Sequence, residues 1–137
     1  MAQSPGLPEL MISNSADAFF GHFLDAWTKD PGGIPPSVRA EYLRASHSAV
    51  TSIVADYRAS AGIDLTLDRA DRSAGVTLAM PVTVIQQDWG AALGYDAAEV
   101  WRAWAPNLDH RTTDAGHFMA EEAPDEIVKA IRDLLGR

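Results

Sequence analysis

The part of this chain best suited to chemistry is TTDAGHFMAEEAPDEI, residues 112–127. Gly116-His117-Phe118 reads as a turn between a short polar strand and an acidic, proline-started helix. Such a turn throws the imidazole of His117 clear of regular structure. Imidazole titrates near neutrality, so His117 is a candidate general base; the alternative is a turn residue with no chemical role. A base needs a nucleophile to activate. The chain has no cysteine, which excludes thiolate chemistry, disulfides and Cys-based zinc sites. Its four histidines lack close His/Asp spacing, so no metal site is expected, and no cofactor is implied.

Other polar and aromatic residues have plainer readings. Glu121 and Glu122 sit just before a helix start; they could orient a ligand, but interaction with the helix dipole accounts for them. His22 lies among aromatics on a helical stretch and is expected to be a partly buried structural residue. Trp89, Trp101 and Trp104 are expected in a core or an interface.

The elements that must position these residues follow from periodicity. Residues 1–14 are rich in Pro, Ser and Asn and read as irregular. SADAFFGHFLDAWTK is a helix with Phe19, Phe20, Phe23, Leu24 and Trp27 on one stripe, Ser15 as its candidate N-cap, and DPGGIPP as its stop. PSVRAEYLRAS restarts a helix. A separate third helix covers HSAVTSIVADYRAS, with Val50, Ile53, Val54 and Tyr57 on one face. A short fourth covers DLTLDRADRSAG, with Asp68, Arg69, Asp71 and Arg72 as a solvated face and Gly75 as its stop. The pattern then changes. PVTVI is the best strand, and its apolar run suits a strand covered on both faces, as in parallel α/β sheets. DAAEVWRAWA is a helix, DHRTTD a short strand, and Pro124 opens a last helix with Ile127, Val128, Ile131, Leu134 and Leu135 on its apolar face. The organisation is four helices, then strand–helix–strand–helix: an α/β chain ending like a doubly wound sheet. Chemistry in such sheets sits on loops after the strand C-termini, where His117 falls.

Bulk properties narrow the partners. With 137 residues, 47% hydrophobic and 22% charged, the chain reads as one globular domain's worth of sequence. A net charge of -8 without a Lys/Arg cluster argues against nucleic acid or an anionic membrane. No run approaches ~20 apolar residues, so no membrane span is expected. The N-terminus lacks the basic and apolar regions of a signal peptide, which makes the cytoplasm the expected location.

Several segments, in order, resemble the C-terminal portion of an α/β-hydrolase of the haloacetate (fluoroacetate) dehalogenase type, related to epoxide hydrolases. MAQSPGLPE is similar to the proline-rich segment in the helical cap, and DYRASAGIDLTLDRAD to a cap helix with its acidic continuation. MPVTVIQQDWG resembles the penultimate core strand, YDAAEVWRAWAPNL the following helix, and AGHFMAEEAPDEI the turn of the catalytic histidine. The resemblance implies a partial α/β-hydrolase fold, with residues 1–75 cap-like and 76–137 the end of the core. It makes His117 the base that activates water against an aspartyl ester, and Tyr57 the cap hydroxyl that donates to departing halide; Tyr57 otherwise simply packs. Related hydrolases place the triad acid after the strand that PVTVI resembles, so Asp88 or Asp96 could orient His117. Otherwise both are loop carboxylates, with Asp96 as the N-cap of the next helix.

The resemblance also places the aspartate nucleophile, the carboxylate-gripping arginines and the oxyanion loop upstream of everything in these 137 residues. Three expectations follow: a truncated hydrolase without independent activity, a non-catalytic oligomeric or scaffold module, or a hydrolase site rebuilt across a homodimer, with Asp88, Asp96 or Asp56 of one chain serving His117 of another. A small-molecule substrate belongs only to a rebuilt site. A partial parallel sheet leaves an edge and apolar surface open, so the expected partner is a second copy of the chain.

Overall fold

A computed structural model describes residues 1–87 and 94–136. The described residues form two compact units, one of residues 1–26 with 34–70 and one of residues 27–33 with 71–87 and 94–136.

The first unit is helical. Helix α1 spans Leu7–Ser13, where the sequence suggested irregular chain. Pro8 and Glu9 explain it. Proline fits a first helical turn because its missing N–H is unbonded there anyway, and the Glu9 carboxylate accepts from the Gly6 amide at 2.9 Å. Helix α2 covers Ala16–Trp27. The Ser15 hydroxyl before it donates back to the Met11 carbonyl at 3.0 Å.

Helix α3 runs without a break from Pro36 to Ser60, so the two helices expected over this stretch are one. Between Ser37 and Ser60 there is no proline or glycine, and nothing local stops propagation. Ile12, Val50 and Val54 form the buried core, with Met1, Phe19 and Phe20 packed against it. Phe19 meets Phe20 and Phe23 edge-on at 5.3 and 5.1 Å. Arg39 joins α2 to α3 by bonding both Asp25 oxygens at 3.0 Å. Arg58 joins α3 to the N-terminus through the Glu9 carboxylate and the Gln3 carbonyl. His22 is exposed rather than partly buried; its ring lies edge-on to Phe23 on the outer side of α2. Helix α4, Ile63–Ala74, buries none of its residues, and Gly75 ends it with a φ of 71°.

The second unit holds a parallel pair of strands, β1 (Val82–Gln87) and β2 (Leu108–Thr113), in register from Val82↔Leu108 to Gln87↔Thr113. Between them lies helix α5, Ala97–Arg102; after them come the short α6, Met119–Glu122, and α7, Pro124–Leu135. Every β1 residue is only half-buried, so the strand is not enclosed on both faces as its composition suggested. The described sheet has two strands, too few to carry a full helical layer on each side. Arg111 ties β2 to α7, bonding Asp109 at 2.6 Å and Asp133 at 2.9 Å. Arg72 lies over the Trp104 ring at 5.5 Å and donates to the Ala103 carbonyl, so it is more than part of a solvated face.

Burial in this unit falls on small residues: Ala97, Ala98, Ala105 and Ala130 are buried. Larger apolar residues stay open, including Val128, Ile131 and Leu135 on α7 and Val76, Leu78 and Met80 before β1. A self-sufficient core has the reverse distribution.

Arg58 holds the Glu9 carboxyl below the ordinary glutamate value of 4.5, chiefly through its hydrogen bond. A carboxyl lowered on folding stabilises fully above its unfolded value, and that contribution is lost as pH falls through the folded value. Thermal denaturation should therefore show the first unit losing stability below about pH 4.5. Glu9→Gln should start lower at pH 7 and fall less on acidification. An equal acid loss in both proteins would remove this pair from the account.

Candidate active-site turn

The turn carrying His117 is built at the C-terminal end of the strand pair. Buried Thr113 ends β2, and its hydroxyl accepts from the Ala115 amide at 3.3 Å, which starts the turn. The segment after α2 then lies against it. The His117 amide donates to the Trp27 carbonyl at 2.8 Å. One oxygen of Glu122 accepts from the Lys29 amide at 2.9 Å and the Gly116 amide at 3.2 Å. The Lys29 ammonium donates to the Asp114 carbonyl at 2.7 Å and pairs with the Asp114 carboxylate at 2.5 Å.

These contacts leave no room for a side chain at Gly116. A Cβ there would lie 2.6 Å from the Lys29 nitrogen and from Glu122 Oε1, and 2.7 Å from the Trp27 oxygen. Glycine is required here by close backbone approach, not by an unusual dihedral.

The His117 side chain itself is exposed. Its ring meets Trp27 edge-on at 4.7 Å and Phe118 at 5.5 Å. It lines a cavity of about 230 Å³ together with Gln86, Gln87, Tyr95, Trp101 and Met119. Gln86 and Gln87 are the last residues of β1, so the cavity sits outside the carboxyl ends of the parallel strands. His117 is thus held by its backbone amide while its ring borders that cavity. On β2, His110 bonds Gln86 of the neighbouring strand at 3.0 Å.

The other residues singled out from sequence stand differently. Asp96 is the N-cap of α5 and accepts from the Glu99 amide at 3.1 Å. Asp88 and Trp89 lie outside the described residues. Tyr57 and Asp56 belong to the first unit, on α3. Tyr57 is 46% exposed while Val50 and Val54 beside it on the helix are buried, so packing on that stripe does not account for it. Trp101 is 40% exposed and flanks the cavity instead of filling a core. Among the described residues, no group of three His, Asp or Glu side chains is placed to hold a metal ion. None of their helices is long and apolar enough to cross a membrane.

Sequence reasoning missed Lys29 and the backbone of Trp27. Both fall at the end of the stretch read as the helix SADAFFGHFLDAWTK, and nothing local links Lys29 to Asp114 and Glu122, 85 and 93 positions away.

No family model matches the chain. It is 28% identical over 141 residues to a fluoroacetate dehalogenase of Burkholderia sp., covering 98% of this chain and 45% of that protein. Among solved structures, a protein of Nostoc sp PCC 7120 classed as an α/β hydrolase superposes with a TM-score of 0.86 at 31% identity, over 98% of this chain and 46% of that one. A Pseudomonas aeruginosa protein classed as an epoxide hydrolase superposes with a TM-score of 0.87 at 31% identity, with the same coverage. The chain thus carries part of an α/β-hydrolase fold. Within that class it resembles the C-terminal portion of a hydrolase of the haloacetate dehalogenase type, and it spans less than half the length of the proteins it matches.

Two substitutions test this local geometry by urea denaturation. Gly116→Ala forces a methyl into contacts below 3 Å and should cost about 1–3 kcal/mol of the second unit's stability. Asp96→Ala removes a cap and should cost about 1 kcal/mol. A neutral Gly116→Ala would show that the turn is held less tightly than these distances require.

Proposed function

We propose that this chain is the part of an α/β hydrolase that carries the general base, His117, and that its 137 residues do not turn over substrate by themselves. The observation that carries the reading is His117 on a backbone-bonded turn, its ring at a cavity outside the ends of two parallel strands. In this reading, residues 1–75 are cap-like and 76–137 close the core. An aspartate from outside these residues attacks the carbon of a short 2-haloacid, expelling halide and forming an ester. His117 then takes a proton from the water that hydrolyses the ester, and Tyr57 donates its hydroxyl to the departing halide. Similarity to a fluoroacetate dehalogenase supports this substrate class.

The purified chain should release no fluoride or chloride from haloacetates above the buffer rate, as read by an ion-selective electrode. Turnover that disappears in His117→Ala would overturn the claim of inactivity and point to a site rebuilt between copies.

The open apolar residues of α7 and of the stretch before β1 support a second element of the proposal, self-association. Covering several hundred Å² at roughly 25 cal/mol per Å² gives a driving force of order 10 kcal/mol, before the cost of association. Twofold closure is the simplest arrangement. Size-exclusion chromatography with light scattering should give a dimer or larger species at low micromolar concentration. A well-folded monomer at that concentration would remove self-association from the reading.

A further inference from the structure

Glu122 is not placed as helix-dipole compensation alone would place it. It precedes Pro124, the start of α7, yet its carboxylate reaches back across the turn to the amides of Gly116 and Lys29. Its other oxygen is buried without a hydrogen-bond partner, on the side where a Cβ of Gly116 would collide with it. A carboxylate oriented this way serves the two amides it bonds, since burial of its second oxygen has an unfavourable desolvation cost of its own.

We propose that Glu122 is the positioning residue of the His117 turn. One anionic acceptor gathers an amide from each of two backbone segments and holds residues 27–29 against 114–117. The His117 amide, bonded to Trp27, is thereby fixed from both sides: through its own bond and through the neighbouring residue Gly116. Hydrogen bonds to an ionised acceptor are roughly twice as strong as neutral ones, and this acceptor forms two. The Lys29–Asp114 contacts close the same pair of segments farther along. Glu122 touches no reacting atom in this scheme; it sets where the imidazole stands. For a base, that matters, because a displacement of about 1 Å can cost on the order of a hundredfold in rate. The positioning role rests on the reading of His117 as the base, whereas the clamp itself is a property of the folded chain.

Amide hydrogen exchange and imidazole resonances, measured by NMR on the intact 137-residue chain, test the clamp without needing turnover. Glu122→Ala should accelerate exchange at Lys29, Gly116 and His117 by about tenfold or more, the equivalent of losing bonds to a charged acceptor. It should also shift or broaden the His117 ring signals and leave the α3 amides unchanged. Glu122→Gln keeps one oxygen acceptor and should fall between wild type and alanine, about threefold faster at Lys29 and Gly116. If the alanine variant does not fold, the glutamine variant decides alone by that local acceleration. Unchanged exchange at Lys29 and Gly116, or acceleration spread equally over α3, would overturn the proposal. The halide assay reports on the base and this measurement on its support, so either can fail while the other stands.

Discussion

The parallel ladder between β1 and β2 is the constraint on which the second unit depends. Parallel strands cannot be joined by a tight hairpin, so the chain between them must leave the sheet and return, and α5 is part of that excursion. The register from Val82↔Leu108 to Gln87↔Thr113 brings both strands to an end at one level. That common end makes room for the cavity and for the turn after Thr113. A slip of one residue would turn every β2 side chain to the other face, undoing the burial of Thr113, the His110–Gln86 bond and the Arg111–Asp133 ion pair together.

At that end the chain uses backbone rather than side-chain packing to hold its histidine. Trp27, Lys29, Gly116 and His117 supply main-chain donors and acceptors, and Glu122 supplies the one carboxylate that joins two of the donors. Gly116 makes this possible by having no Cβ at a crossing where contacts would fall to 2.6 Å. The imidazole meanwhile stays exposed and edge-on to Trp27 and Phe118. Precision comes from the main chain, while accessibility is kept for the ring. The same unit buries alanines and leaves Val128, Ile131 and Leu135 open, as expected for part of a larger layered fold.

Much of the fold was legible because it rests on local signals. The strand at Val82–Gln87, the stop at Gly75 and the start at Pro124 are all recovered. Asp96 as an N-cap is legible for the same reason, since the capped amide is three residues away. The misreadings share another cause. Helix α1 is hidden in the sequence because its stretch is rich in Pro, Ser and Asn, although a proline such as Pro8 is at home in a first turn. The division of α3 had no breaker behind it. His22 is exposed despite its aromatic neighbours in sequence, because which side of a helix is covered depends on what packs against it.

By itself the sequence determined the order of elements, the turn at His117, the α/β character of the second half and the resemblance to a hydrolase. The first three rest on residues within a few positions of one another, where dihedral preference and periodicity act directly; the resemblance rests on the order of several segments along the chain. Tertiary structure alone decided the Glu122 bonds to Lys29 and Gly116, the pairing of Lys29 with Asp114, and the absence of room at Gly116. Those contacts join residues up to 93 positions apart. No local propensity encodes the Lys29 contacts, because they exist only once the backbone has brought two distant segments within hydrogen-bonding distance.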